Sequence, residues 1–421
     1  MQETSRFVRI LCSSLLTMSL ASVSALAEDA ARPFPQHATY AAGSIKPASI
    51  PQATLDQETA AFYDIWKRKR LIAAEAPGQF YVAFDERDSK AGPNVITVSE
   101  AMGYGMLITA FMAGHDPEAK KYFDGLYRFY KRHPSKNNPR LMAWCQVQGG
   151  ANAHEGSDSA ADADIDIAYA LLVAHRQWGS AGEINYLSEG KSMIDAIFAD
   201  DINARAFSVK LGDDIASDDP AFADTRSSDL ITDHFRAFQR VTGRPEWSAV
   251  VDKSYSIMET LQRNYSPETG LIPDFVRHVD NAPAPAKPNY LETKYDGDYY
   301  YNACRVPFRV GLDYLLTGDP RSKALLGKMT RWVRQETGDD PAKIAAGYSL
   351  SGRRIEKDEE TGQMCFVAPF AVAAMADQKD QAWLDALSAA MIKRSPDDAD
   401  YFDGTIKMLC LLVVSGNWWS P

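Results

Sequence analysis

The stretch TVSEAMGYGM, Thr97–Met106, carries a polar lead-in, Thr97-Val98-Ser99, straight into an apolar run of Met102 to Met112. That run has the length and pattern of a helix. Ser99 is placed to be its N-cap, because a hydroxyl accepts from an unpaired N–H of the first turn. Glu100 then sits at the helix mouth, on a first turn holding Gly103 and Gly105. It reads as a first-turn carboxylate favoured by the helix dipole, or as a catalytic acid at the lip of a cleft. The rest of the chain has to decide.

Apolar stripes of helical period recur on both sides of this stretch. They predict about twelve helices, at roughly 54–72, 99–114, 116–132, 163–179, 182–199, 228–243, 246–264, 302–317, 319–337, 367–376, 380–392 and 401–415. Within pairs the links are tight and carry turn chemistry: Gly114-His115-Asp116, Gly179-Ser180, Thr242-Gly243-Arg244-Pro245 and Thr317-Gly318-Asp319-Pro320. Between pairs lie long stretches, about 133–162, 200–227, 265–301 and 338–366, rich in Trp, Tyr, Asp and Gly. Loops of that size in a compact domain are usually functional. Six helical hairpins with such loops predict an all-α, closed ring of helices, an α/α toroid, filling 54–421 as one domain.

The chain has 421 residues, 45% hydrophobic, 24% charged and 11% aromatic, enough for one large core. Its formal charge of −11 argues against a nucleic-acid surface and against binding to an anionic membrane. At the N-terminus, Arg6 and Arg9 precede an apolar stretch, Ile10 to Ala21, and Ala25-Leu26-Ala27 has the small-x-small form of a cleavage site. Residues 1–27 are therefore expected to be a signal peptide, too short to span a membrane, with export to the periplasm or the outside. Residues 28–53, rich in Ala and Pro, read as a loose leader. The remaining cysteines, Cys145, Cys304, Cys365 and Cys410, are far apart with no metal-ligand spacing, and sit in apolar runs that suit buried thiols.

Two further stretches carry chemistry. In SDSAADADIDIAYALLVAHRQW, Ser157–Trp178, Asp162, Asp164 and Asp166 alternate at the start of an amphipathic helix. A calcium loop fails, because position six would be Ile167 rather than Gly and position twelve Val173 rather than Glu. Helix capping by Asp162 with first-turn acids stays open beside a site role. In DGDYYYNACRVPFRVGLD, Asp296–Asp313, a tyrosine run feeds Asn302 and a helix with Arg305 and Arg309. Aromatic faces that stack on sugar rings, beside carboxylates and an Arg, suit a glycan cleft; an aromatic core patch is the plainer reading. Trp144 is open between core and stacking platform.

These segments resemble glycoside hydrolase family 8 over about residues 54–415. Ser99-Glu100 with Gly103-Tyr104-Gly105-Met106 is similar to the family's catalytic-acid motif, and Ala160–Ala168 to its signature segment, with Ala161 where Ser or Thr is usual. Leu141-Met142-Ala143-Trp144, Tyr301–Pro307 and Phe366-Val367-Ala368-Pro369-Phe370 also match. The resemblance implies an (α/α)6 barrel and inverting hydrolysis of a polysaccharide, with no metal or cofactor. It implies that Glu100 is the general acid and that Asp162 binds and distorts the sugar before the scissile bond. Trp144, Tyr301, Asn302 and Arg305 are implied to line the substrate cleft. Many members carry the general base, an Asp, where this chain has Asn302. A branch with Asn there, of chitosanases and lichenases, takes its base from a Glu on an inserted loop. Here the loop Pro283–Glu292 precedes Asn302, so Glu292 is the expected base, with Asp296 and Asp298 as alternatives. The resulting expectation is a secreted, monomeric endo-β-glycanase on β-1,4 or mixed-linkage glucan. A chitosanase with the same machinery, or a non-catalytic glycan-binding protein, are the alternatives.

Overall fold

A computed structural model describes residues 30–84, 94–355, 361–393 and 400–421. The expected signal peptide and its cleavage site lie outside them. Among the described residues there are twelve α-helices: α1 (Gln52–Arg70), α2 (Ser99–Phe111), α3 (Ala119–Arg132), α4 (Ala161–Trp178), α5 (Tyr186–Asp200) and α6 (Thr232–Thr242), then α7 (Glu246–Asn264), α8 (Val306–Thr317), α9 (Pro320–Thr337), α10 (Met364–Ala374), α11 (Gln381–Lys393) and α12 (Tyr401–Val414).

Each predicted helix is present, and the connections alternate between two rings. The even-numbered helices touch in turn, α2 to α4, α6, α8, α10 and α12, and α12 returns to α2. The odd-numbered helices back onto them from outside. This is the expected (α/α)6 barrel. Sequence pattern sorts the rings physically. Every residue of α10 is buried, and α2 and α12 are apolar nearly all round, as helices enclosed on all sides must be. The outer α3 instead keeps Lys120, Lys121 and Arg132 outward and buries Phe123, Leu126 and Phe129. Gly179, Gly243 and Gly318 follow α4, α6 and α8 at positive φ, so the tight links turn where the sequence placed them.

Two seams fix the inner ring where the site lies. A Cβ on Gly103 would stand 2.9 Å from Asp166 Cβ and 3.2 Å from the Ala163 carbonyl, so only glycine lets α2 close against α4. In the barrel centre Arg309 grips Asp166 through two bonds, at 2.9 and 2.5 Å, while His234 lies between Asp166 and Asp233 and stacks on Tyr169.

The long connections are not plain loops. They hold short strands of two to four residues: β1 (Leu71–Ala73), β2 (Phe80–Val82), β3 (Val95–Val98), β4 (Cys145–Val147), β5 (Ala151–Asn152), β6 (Ile202–Asn203), β7 (Ser208–Val209), β8 (Thr225–Arg226), β9 (Phe275–Arg277) and β10 (Ala284–Pro285). β3, β4 and β5 form one antiparallel sheet, and β8, β9 and β10 another. Segments this short are below the length at which a period of two is legible.

The leader is a correction. Residues 30–51 are strapped to the ends of the inner helices. Ala31 N–H donates to Gln177 O, Phe34 to Ala113 O, Ala41 to Leu315 O, Ile45 to Met375 O and Ala38 to Gly416 O. Tyr40 OH donates to Val413 O at 3.0 Å. These are carbonyls at and just past helix C-termini, which have no partner within their own helix, and an extended strand with free N–H groups is a suitable cover. The inner helices' N-termini, Glu100 and Asp162 among them, face the other end.

Candidate active site

The site is assembled where β3 runs directly into α2. Val98 is extended at φ −123°, ψ 156°, and the helix starts at the next residue. Ser99 N–H donates to Trp144 O at 2.8 Å, so the strand partner holds the helix start. Ser99 is not the cap: its hydroxyl is buried and has no hydrogen-bond partner among the described residues. Ser99 is already the first helical residue, and the cap position falls one residue earlier, on Val98 at the end of β3, which has no polar side chain to cap with. Glu100 follows, with about a fifth of its side chain, 19%, exposed.

Glu100 is held at both oxygens. Tyr401 OH donates to Oε1 at 2.9 Å, and Arg305 Nη1 donates to Oε2 at 2.6 Å. Burial pushes its carboxyl up; Arg305 opposes, and the Asp162 charge adds to the rise. The balance is a carboxyl kept above its ordinary range, which favours the protonated form.

The three acids of α4 do three different things, and none is the helix cap, which falls at Ala160 with no side-chain bond. Asp162 Oδ2 accepts from Arg305 Nη1 at 2.9 Å, beside Glu100. Asp164 is fully buried and accepts from Met142 N–H at 3.0 Å, fixing the Leu141–Trp144 segment. Asp166 belongs to the barrel centre. Trp144 is half-buried, with Nε1 donating to Glu155 O at 3.2 Å, and it packs against the small cluster of Val95, Cys145 and Ala153. It lies next in sequence to the strand partner of the α2 mouth.

Asn302 and Glu292 come together. Asn302 Nδ2 donates to Glu292 Oε2 at 2.8 Å and to Asp274 Oδ2 at 3.3 Å, while its Oδ1 accepts from Arg305 Nη2 at 2.9 Å. Arg226 Nη2 donates to Glu292 Oε1 at 3.2 Å, and Arg226 also faces the buried Asp229 at 3.5 Å. A third of the Glu292 side chain, 33%, stays exposed. Tyr301 is set by a bond to Gln363 Oε1 at 2.8 Å and by edge contacts with Tyr300 and Phe366.

Of the alternatives to Glu292, Asp296 is buried and structural. Its two oxygens accept from the N–H groups of Leu291, Glu292 and Thr293 at 2.6, 2.9 and 2.7 Å, so it shapes the loop that carries Glu292. Asp298 is half-buried near Arg353, and its carbonyl accepts from Asp274 N–H. Arg309, on the same motif, lies in the barrel centre bound to Asp166. Cys145, Cys304, Cys365 and Cys410 are buried free thiols.

Sequence reading missed Tyr401, Arg226, Asp229 and Asp274. Asp274 accepts from the N–H groups of Tyr300, Asn302 and Ala303, and burial raises it to about 7. Asp229 is likewise raised by burial and by Asp162 to about 7. These residues come from loops and from a helix about 300 positions away from Glu100, and no local spacing marks them. Tyr104, whose OH accepts from Arg305 Nη1 at 2.9 Å, was findable, since it lies four residues after Glu100 on the same helix face.

The model of glycosyl hydrolases family 8 matches residues 33–416. A β-glucanase of Niallia circulans is 43% identical over 389 residues, covering 92% of this chain and 91% of its own length. An endoglucanase of Bacillus sp. (strain KSM-330) is 39% identical over 412 residues, 97% of this chain and 86% of its own. The solved apo structure of a β-1,3-1,4-glucanase from Paenibacillus sp. X4 superposes with a TM-score of 0.87 at 43% identity, covering 93% of this chain and 99% of that one.

Proposed function

The chain belongs to glycosyl hydrolases family 8 and is an endo-β-glucanase, and from that premise we propose that it cleaves mixed-linkage or β-1,4 glucan by inversion, with Glu100 as acid and Glu292 as base. One observation supports the pair above all. The two carboxyls stand at opposite ends of a single chain of contacts, Glu100–Arg305–Asn302–Glu292. Glu100 is shielded and raised, as a proton donor to the leaving oxygen should be. Glu292 is partly exposed and gripped by two donors, as a carboxylate that takes a proton from water should be. Inversion needs room for that water, with the two carboxyls about 6.5–9.5 Å apart.

Asp162 is proposed to bind and distort the sugar just before the scissile bond; its tie to Arg305 beside Glu100 supports this. Trp144 and Tyr301 offer ring surface along the cleft. The protein is further proposed to act as a monomer, exported after cleavage near Ala27; the mass of the secreted chain tests the cleavage.

Reducing-sugar release on lichenan, carboxymethylcellulose and chitosan, with the product anomer followed by NMR, tests the reading. Glucan turnover yielding the α-anomer first supports it. Turnover on chitosan alone moves the substrate to glucosamine polymers. A β-anomer product rules out inversion.

A further inference from the structure

We propose that Asn302 is the positioning residue of the Glu292 carboxylate, holding the base by its amide rather than contacting sugar. The proposal rests on Glu292 being the base. Asn302 has only 8% of its surface exposed, and both ends of its amide are occupied within the protein. Nδ2 serves Glu292 Oε2 and Asp274 Oδ2, and Oδ1 serves Arg305 Nη2. The amide cannot be reversed: its oxygen would then face two carboxylates and its nitrogen a guanidinium.

Asp274 fixes this residue in turn. It accepts from the Asn302 backbone N–H at 3.1 Å as well as from the neighbouring Tyr300 and Ala303. The amide is therefore rooted in a rigid turn and points its N–H at the base. Arg226 takes the other Glu292 oxygen, and Asp296 holds the loop backbone. Two donors on two different oxygens fix the plane of a carboxylate, which a loop side chain lacks by itself. The remaining lone pairs are left for the water.

The same geometry says why an amide and not a carboxylate stands here. An Asp at 302 would replace the amide donor that Glu292 and the buried Asp274 share with another carboxylate, crowding like charge against Glu292. A site of this kind holds its base on the loop or at position 302, but not at both.

The test compares Asn302→Asp, Asn302→Ala and Glu292→Ala in the full chain on lichenan, with and without azide, after thermal melts. Positioning predicts that both Asn302 variants lose about 10- to 100-fold in kcat with KM within about threefold. Asn302→Asp also moves the acid limb of the kcat/KM profile up by about one pH unit, through like-charge crowding. Azide restores turnover to Glu292→Ala, whose base is gone, and not to Asn302→Ala, whose base remains. Asn302→Asp keeps the side-chain shape and carries the pH readout whatever the fate of the alanine variant. A rise in KM with kcat and pH profile unchanged makes Asn302 a sugar contact and overturns the proposal. So does an Asn302→Asp enzyme as fast as the parent. Full activity in Glu292→Ala removes the base assignment itself, a failure distinct from the other two.

Discussion

Glu100 and Asp162 meet at one nitrogen: Arg305 Nη1 lies 2.6 Å from Glu100 Oε2 and 2.9 Å from Asp162 Oδ2. A single cation thus sits between the proposed proton donor and the carboxylate proposed to bind sugar. It lowers Glu100 while Asp162 raises it, so the donor's proton affinity is a balance of two neighbours on top of burial.

Removing the cation should tip that balance. In Arg305→Met, Glu100 keeps its proton to higher pH, and activity is lost only as pH rises through the new value. The alkaline limb of kcat/KM is expected to move up by about one pH unit, with kcat lowered as the carboxyls lose their common anchor. A pH–rate profile checks this; an unmoved alkaline limb would detach Glu100 from the acid role.

Tyr401 is the other hand on Glu100. Tyr401→Phe removes the donor to Oε1 and leaves the ring contact with Phe84 intact. The bond favours the ionised acid, so its loss should shift the alkaline limb in the same direction, by less than Arg305→Met does. kcat should fall about tenfold, since the carboxyl is freer to turn. Steady-state kinetics at several pH values measures both effects.

Gly103→Ala addresses the seam that brings Asp162 beside Glu100. The added methyl meets Asp166 Cβ and the Ala163 carbonyl, and α2 and α4 must separate. A cost of about 1–3 kcal/mol is expected, read as a lowered urea midpoint. Activity should fall further than stability alone accounts for, because the two carboxylates ride on the two helices being separated.

His234 gives the barrel centre a pH dependence. Burial lowers its pKa, but Asp233 and Asp166 together outweigh burial and hold it above its ordinary value. A raised folded-state value means its contribution is full below about pH 6.5 and is lost as pH rises through the folded value. The stability difference between the parent and His234→Gln should therefore shrink from pH 6 toward alkaline pH. Urea titrations at several pH values decide it; a constant difference would mean His234 stays neutral in the fold.

Much of this was legible in the sequence. Twelve helices were readable because each carries an apolar stripe of helical period, and α4, α6, α8 and α9 end at a glycine, signals local to each segment. Glu100, Asp162, Asn302 and Arg305 stood out as polar residues at motif positions, but their roles came from the family resemblance, because capping and core packing account for such residues equally well. Glu292 needed the resemblance, since a loop acid has no period. The leader misread as loose has no apolar stripe; it is held by backbone bonds to helix ends, which composition does not reveal. Tyr401, Arg226 and Asp274 enter the site only by folding. The cap expected at Ser99 failed because a strand, too short to detect, already supplies the helix start.

The pair of carboxyls is the centre of the account, and Glu292→Gln tests it most directly. The substitution keeps size and shape and removes only the proton acceptor. Measured on lichenan beside the parent, with the melt unchanged, kcat should fall by about 10²–10⁴-fold and KM should stay close to the parent value. A Glu292→Gln enzyme that turns over within about threefold of the parent would contradict the assignment and return the base to another acid of the cleft.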